Sequence, residues 1–231
     1  MDYMELVREG YETMGERYLE ARRSGVLELP ILDRFVALVP PGGLVLDAAC
    51  GAGVPVTRAL AVAHRVIAAD FSLGQLRLAR RFVPQAGLTC QDITQLGFAA
   101  ASLDGYCCCY GIIHVPREHH AALLRDIHRL LKQGAHALLC LGADDLEAEE
   151  GEYQGAPMFW SHFDSQTYRA MLGQTGFKVI DSCIVPDPID GGGGHLFVLV
   201  AKDGERGAAD GSTQTGAASL STAPDSPIDI G

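Results

Sequence analysis

Two aspartates that close apolar runs, with glycines between them, form the pattern in this chain best suited to chemistry. Asp47 ends the run at residues 44–46, and Gly51 and Gly53 follow it, where they allow a tight turn and a close approach to a ligand. Asp70 ends a second apolar run, near the offset of about 20 residues at which nucleotide-binding folds hold a ribose. The spacing predicts a site for a nucleoside-type ligand.

Pro55 follows the glycines and suits the first turn of a helix, where its missing N–H would have had no partner. The free amides of that helix would then point back at the glycine turn. The alternative is a glycine-rich connection with a solvated acid at each strand end.

Residues 47–53, Asp-Ala-Ala-Cys-Gly-Ala-Gly, resemble motif I of the class I S-adenosylmethionine-dependent methyltransferases, whose pattern is Asp-x-Gly-x-Gly-x-Gly. Ala49 replaces the first glycine. The run at 113–118 also resembles one branch of the bacterial members. A dinucleotide fingerprint needs a third glycine where this chain has Val56, which disfavours an NAD(P)-dependent oxidoreductase.

The elements that must position these residues follow an α/β order. The resemblance implies a three-layer sandwich around a seven-stranded, mostly parallel, Rossmann-like sheet. Two β-rich runs at 177–185 and 195–201, joined by a glycine-rich loop, predict an antiparallel last strand. We expect a helical cap at 1–40, a methyltransferase domain at 41–202 with a substrate-side insertion at about 143–164, and a disordered tail at 203–231.

Three further segments have a bland and a functional interpretation. An amphipathic helix within residues 2–24 either packs Tyr11 and Tyr18 on the sheet edge or, by the resemblance, covers the cofactor. A helix over 116–132, ended by Gly134, is expected to carry three surface histidines. These are His119, His120 and His128. The acidic residues at 144–152 are expected to form a solvated loop.

The resemblance implies S-adenosylmethionine as cofactor and assigns roles around it. Asp70 would hold the ribose, the 47–53 loop would face the methionine part, and Tyr18 would lie over the top. The adenine would contact Phe71, Asp92 and Ile93. The cofactor-binding residues expected in full are Tyr11, Tyr18, Asp47, Ala49, Cys50, Gly51, Gly53, Asp70, Phe71, Gln75, Asp92, Ile93, Tyr110 and Gly111.

His114 is the first candidate for proton chemistry, because an imidazole titrates near neutrality and this one follows a central strand. Its alternative role is a structural histidine bonded to the backbone. Tyr110 is placed to orient an acceptor, and His162 is a second candidate base. Trp160, His162 and His114 are the expected substrate-side residues, and a hydrophobic cluster that caps the sheet is the alternative for the first two.

Composition limits the classes of function. The chain has 231 residues, 48% of them apolar, and a net charge of −11. One globular domain is expected, and an acidic chain is a poor match for nucleic acid. Seven cysteines, an odd number, lie mostly in apolar runs, and no run approaches the length of a membrane span. We therefore expect a cytoplasmic protein with a small-molecule substrate. The sequence makes no prediction of the oligomeric state.

Cys107, Cys108 and Cys109 follow one another in a strand, where successive side chains point to opposite faces. This argues against their convergence on one ion, and no metal site is predicted. Besides methyl transfer to an unidentified small molecule, two alternatives stay open. One is the oxidoreductase, and the other is a nucleoside-cofactor-binding protein without catalysis.

Overall fold

Alternating strands and helices build the described part of the chain, which in this computed structural model is residues 2–24, 29–186 and 194–203. The helices are α1 (Tyr3–Met14), α2 (Glu16–Ser24), α3 (Leu29–Leu38), α4 (Val56–Leu60), α5 (Leu73–Phe82), α6 (His120–Leu130) and α7 (Ser165–Thr175). The strands are β1 (Leu44–Ala48), β2 (Arg65–Asp70), β3 (Gly87–Cys90), β4 (Leu103–Cys108), β5 (Leu131–Gly142), β6 (Leu146–Tyr153), β7 (Ala156–His162), β8 (Phe177–Pro186) and β9 (Gly194–Lys202).

Seven strands form one sheet in the order β3-β2-β1-β4-β5-β9-β8. The first five are parallel, and β9 runs antiparallel to both β5 and β8. The predicted fold class, with its antiparallel last strand, is therefore confirmed. Residues on both faces of β1 and β4 are buried, as a parallel sheet covered by helices requires.

Two apolar clusters fill the two sides of the sheet. One includes Leu46 and Tyr106 with the buried stripe of α6, and the other includes Phe35 of α3 with Cys107. Because parallel strands end at the same edge, this packing brings the turns after β1, β2, β3 and β4 together at one rim.

A roof covers that rim, and it is built from α1 and the separate antiparallel β6–β7 hairpin. The two parts touch closely: Tyr3 stacks on Phe159 at 4.0 Å between ring centroids, and Gly10 lies where a Cβ would meet Met158. The acidic residues at 144–152 were expected in a loop, but most of them belong to β6. Their side chains stay exposed, while the backbone of the strand pairs with β7.

Two expectations about the helix over 116–132 are wrong. The α-helix ends at Leu130, and Gly134, with a φ of 72°, lies inside β5 instead of ending the helix. His120 is fully buried, because it occupies the same stripe as Leu123 and Leu124. Its two ring nitrogens are bonded to the Tyr168 hydroxyl at 2.7 Å and the Val115 carbonyl at 2.8 Å, so its burial leaves no polar group unsatisfied.

The predicted tail, apart from Asp203, and the glycine-rich loop between β8 and β9 lie outside the described residues. Within the part that is described, no helix combines the length and the apolar character needed to cross a bilayer.

Candidate functional site

A cavity of about 840 Å³, partly open to solvent, lies between the rim of the sheet and the roof. Its wall is made by the turns after β1, β2, β3 and β4 together with side chains of α1 and α2. The wall residues are Met4, Val7, Tyr11, Tyr18, Leu19, Asp47, Ala49, Cys50, Gly51, Ala52, Val54, Pro55, Val56, Asp70, Phe71, Gln91, Ile93, Cys109, Tyr110, Gly111 and His114.

Asp70 ends β2 and is held by backbone amides. Its Oδ2 accepts from Gly51 N at 2.8 Å and its Oδ1 accepts from Ser72 N at 2.9 Å. Burial raises the pKa of this carboxyl to about 6, although the two amide donors oppose the rise. The two bonds fix the carboxylate and leave each oxygen a further lone pair for a ligand hydroxyl.

Asp47 is the last residue but one of β1, and it is 1% exposed. Its Oδ2 accepts from the Thr57 hydroxyl at 2.5 Å. Burial raises the pKa of Asp47 to about 7, Thr57 opposes the rise, and the charge of Asp70 adds to it. The cavity therefore holds two carboxyl groups that are reluctant to ionise.

The wall contains no lysine or arginine among the described residues. Two desolvated carboxyl groups without a cation favour a ligand that brings positive charge with it. A pyrophosphate would meet two acids and no basic side chain. The electrostatics of the cavity are therefore opposite to those expected for a dinucleotide.

The turn after β1 approaches the cavity through backbone in the left-handed region. Gly51 has a φ of 54°, and Ala49 has a φ of 58°, a conformation that costs an alanine about 1 kcal/mol. The neighbouring Gly111 has no room for a side chain, because a Cβ there would lie 2.5 Å from the Cβ of Ala49. The two turns are thus packed directly against each other.

Glu12 fastens α1 over the cavity. Its carboxylate accepts from the Ser72 hydroxyl at 3.0 Å and from Gly74 N at 2.9 Å, at the start of α5. Burial opposes the ionisation of Glu12, but the bonds from Gly74 and Ser72 outweigh it and lower its pKa. The Gln75 amide adds bonds to the carbonyls of Tyr11 and Gly15.

His114 joins the sheet to both parts of the roof. Its Nδ1 lies 2.7 Å from the Phe159 carbonyl, which can only accept, so Nδ1 carries the proton. Its Nε2 then accepts from the Tyr11 hydroxyl at 3.0 Å. Burial lowers the pKa of His114 to about 4, so the ring is neutral at neutral pH. Such a ring is a hydrogen-bond acceptor and only a weak proton acceptor.

The structure brings twelve of the predicted cofactor-side and catalytic residues to the wall. They are Tyr11, Tyr18, Asp47, Ala49, Cys50, Gly51, Asp70, Phe71, Ile93, Tyr110, Gly111 and His114. Tyr110 has a φ of 64°, and its ring turns away to meet His195 and Phe197 edge-on. Strained backbone of this kind concentrates at ligand sites.

Three residues predicted to bind cofactor lie off the wall. Gly53 faces α5, since a Cβ there would lie 3.1 Å from Val83. Asp92 closes its own turn by accepting from the backbone and hydroxyl of Thr94 at 2.7 and 2.8 Å. Gln75 supports the roof from behind. These three residues do not line the cavity, and their contact with a cofactor stays a prediction.

The two substrate-side candidates of the hairpin also lie off the wall. Trp160 is 6.0 Å from His114 between ring centroids and packs behind it. The Nδ1 of His162 donates to the Asp144 carbonyl at 2.7 Å, and burial lowers the pKa of this histidine. Both residues shape the hairpin that holds His114 in place.

Sequence reasoning missed Gln91 and Cys109 on the wall. Gln91 is the neighbour of Asp92, and its Oε1 accepts from Gly97 N at 2.9 Å. The residues predicted at this turn were Asp92 and Ile93, and of the three Gln91 and Ile93 lie on the wall. Cys109 shares a strand face with Cys107, and their Sγ atoms are 3.8 Å apart. The argument from opposite faces therefore holds for Cys108 but not for these two thiols.

Among the described residues, no group of three or more histidine, cysteine or acidic side chains is arranged to hold a metal ion. The polar groups of the cavity instead consist of carboxyl, hydroxyl, amide and thiol groups with one neutral imidazole.

Known proteins resemble this chain both in sequence and in fold. A family model described as a methyltransferase domain matches residues 45–134. The demethylmenaquinone methyltransferase of Mycobacterium sp. (strain KMS) is 34% identical over 103 residues, 44% of this chain and 43% of that protein. The enzyme of the same name from Streptomyces avermitilis is 32% identical over 103 residues, 43% of this chain and 42% of that protein. The chain spans less than half the length of these curated relatives.

Solved structures share the fold over more of the chain. The Burkholderia thailandensis 1,6-didemethyltoxoflavin-N1-methyltransferase, with bound 1,6-didemethyltoxoflavin and S-adenosylhomocysteine, superposes with a TM-score of 0.70 at 19% identity. The match covers 87% of this chain and 89% of that one. The [4+2]-cyclase SpnF has a TM-score of 0.58 at 14% identity, covering 76% of this chain and 80% of that one.

Proposed function

We propose that the chain is a class I S-adenosylmethionine-dependent methyltransferase that methylates an uncharged small molecule, because a methyltransferase-domain model matches residues 45–134 and the sheet is seven-stranded and mostly parallel. One observation carries the choice of cofactor. The cavity holds two buried carboxyl groups and no lysine or arginine on its wall, so a cationic nucleoside fits where a pyrophosphate does not.

The wall residues divide the work of binding. Asp70, fixed by its two amide donors, would accept from ribose hydroxyls, and the turn at Gly51 leaves room beside Asp47 for an ammonium group. Phe71 and Ile93 offer apolar surfaces to a purine ring. When bound, S-adenosylmethionine supplies an electrophilic methyl group on its sulfonium. The remaining task of the chain is to align an acceptor and exclude water.

The acceptor end lies at the turn after β4, where Cys109, Tyr110 and His114 form the wall. We assign His114 to the positioning of the acceptor and not to strong base catalysis, because its pKa is lowered to about 4 by burial. With Nδ1–H fixed on Phe159, its Nε2 holds the Tyr11 hydroxyl or an acceptor hydroxyl in the same way. An acceptor without negative charge fits this wall, which has no lysine or arginine among the described residues.

Ligand titration separates the proposed cofactor from the dinucleotides. Calorimetry with S-adenosylhomocysteine, NADH and NADPH should detect binding of the first only. Asp70→Ala should weaken that binding at least tenfold, whereas His114→Ala should change it by less than a few-fold and lower turnover instead. Binding of NADH without S-adenosylhomocysteine would assign the cavity to an oxidoreductase.

A cofactor-binding protein without methyl transfer is a second candidate, and the fold likeness to the [4+2]-cyclase SpnF favours keeping it. Release of S-adenosylhomocysteine in a screen of uncharged aromatic and hydroxylated acceptors, including the quinols suggested by the names of the relatives, distinguishes the two. Binding of the cofactor with no product from any acceptor would favour the second candidate.

We also propose that the protein works in a reducing cytoplasm and does not bind nucleic acid. The seven cysteines form no disulfide, and the net charge of −11 opposes contact with phosphates. The domain division at 1–40, 41–202 and 203–231 stays a proposal as well. Its support is that α1 belongs to the roof and that the sheet begins at β1.

A further inference from the structure

We propose that Cys107 and Cys109 are a modification site, an oxidisable thiol pair that hydrogen peroxide converts to a disulfide within one strand end. The Sγ of Cys107, inside β4, lies 3.8 Å from the Sγ of Cys109, one residue beyond the end of that strand. Cys108, between them, points to the opposite face and packs in the other core cluster. The pair lies outside the groups assigned to cofactor binding, so the proposal does not rest on the proposed function.

The backbone geometry permits the bridge. Residues two apart in a strand span about 6.6 Å between Cα atoms, near the upper end of the range of about 4.4–6.8 Å seen for disulfides. The sulfurs must approach by about 1.8 Å, because a disulfide bond is about 2.0 Å long and they start 3.8 Å apart. A modest displacement of one residue is enough.

Cys109 is the residue free to make that displacement. Strand pairing with β1 ends at Cys107, and pairing with β5 ends at Cys108. Cys109 therefore lies beyond the last paired residue, directly before Tyr110, whose φ of 64° shows that the strand has already ended. Cys107 is held by its pairing with β1, so it acts as the fixed partner.

Access assigns the order of events. Cys109 lines the cavity and is partly exposed, whereas Cys107 is fully buried behind it. The contact with Cys109 and burial both raise the pKa of the Cys107 thiol, which disfavours it as the first nucleophile. A small oxidant that enters the cavity therefore meets Cys109 first.

The reaction balances with hydrogen peroxide as oxidant. The Cys109 thiolate attacks one peroxide oxygen, the O–O bond breaks, hydroxide leaves, and a sulfenic acid forms. The sulfur of Cys107 then attacks the Cys109 sulfur, the S–O bond breaks, and water leaves with the Cys107 proton. Two thiols and one peroxide give one disulfide and two waters.

Thiol counting tests the proposal on the full chain. Cys90 and Cys183 are exposed and are replaced by alanine to prevent bridges between molecules, which leaves five of the seven cysteines. This parent is treated with hydrogen peroxide at pH 8, denatured without reductant and alkylated, and its mass is measured. We expect the alkylated thiols to fall from five to three, and a dithiol reductant to restore all five.

The three adjacent cysteines supply matched variants. In the parent background, Cys108→Ala should still lose two thiols, whereas Cys107→Ala and Cys109→Ala should form no bridge. Fragment spectra of the parent locate the bridge directly, so the test stands even where a variant does not fold. Loss of a single thiol, oxidation of Cys109 to sulfinic acid alone, or a bridge that involves Cys108 would overturn the proposal.

Discussion

Single residues set the charge of the cavity, and Asp47 does so most strongly. Its carboxyl is buried, receives one hydroxyl bond and faces no basic side chain on the wall. Its pKa is therefore raised from 3.8 to about 7. The folded chain binds this proton more tightly than the unfolded chain, so the contribution of Asp47 to stability is present at low pH and is lost as the pH rises through about 7.

Replacement of Asp47 by asparagine should reveal how much the buried, ionised carboxylate destabilises the folded protein. Asparagine keeps an oxygen for the Thr57 hydroxyl but cannot ionise, so Asp47→Asn should stabilise the ligand-free protein at pH 8 by up to about 4 kcal/mol, at about 1.4 kcal/mol per pKa unit. At pH 4 the free energies of unfolding should be equal. Urea denaturation at both pH values measures the difference, and an equal effect at the two would contradict the assignment.

At this scale the sequence predicts residue types better than contacts. Asp47, Gly51 and Asp70 were identified because they stand where strands end, and strand ends are fixed by the apolar pattern. Asp92 was predicted where its neighbour Gln91 lines the cavity, because a shift of one residue along the chain decides which side chain faces it. His120 was misplaced because its partner Tyr168 is 48 residues away.

Among the elements, α1 decides whether the cavity is covered. It is held at one side by Glu12 on the start of α5 and at the other by the stack of Tyr3 on Phe159. Gly74 permits the first contact, since a Cβ there would lie 2.5 Å from a Glu12 oxygen. The apolar spacing predicted one helix within residues 2–24, whereas α1 ends at Met14 and α2 begins at Glu16, and these distant anchors were not predicted.

Removal of the Glu12 carboxylate should loosen α1. We expect Glu12→Ala to destabilise the protein by about 1–2 kcal/mol, because two hydrogen bonds to a charged group are lost. Amide hydrogen exchange over residues 3–14 should rise while the exchange of β1 stays unchanged. The matched control is Glu9→Ala, which removes an exposed carboxylate of the same helix that pairs with Arg8.

Comparable exchange in both glutamate variants would show that Glu12 does not anchor the helix.

The β6–β7 hairpin was not predicted from the sequence, for a related reason. Its first strand is acidic and exposed between its two end residues, Leu146 and Tyr153, so no alternation of apolar and polar residues marks it as a strand.

For the whole molecule, the fold class was predictable because residues 47–53 resemble a family with this fold, and two β-rich runs joined by a glycine-rich loop indicated the antiparallel last strand. The proposed cationic ligand would bind a chain with a net charge of −11. Its cavity holds two carboxyl groups whose pKa is raised, to about 7 for Asp47 and to about 6 for Asp70. A cationic ligand favours the ionised form of both groups, so its binding should expel protons.

Calorimetry can count these protons. With S-adenosylmethionine at pH 6.5, the apparent binding enthalpy should depend on the ionisation enthalpy of the buffer, with a slope equivalent to release of roughly half a proton or more. Affinity should rise between pH 5.5 and pH 8. In Asp47→Asn the slope should shrink. A binding enthalpy that is the same in phosphate and Tris would contradict the linkage.

The stack of Tyr3 on Phe159 joins α1 to the β6–β7 hairpin, more than 150 residues later in the chain. Replacement of the hairpin by that of another protein would therefore also remove the ring against which Tyr3 of α1 packs. A chimaera should keep its cover only when α1 and the hairpin come from the same donor.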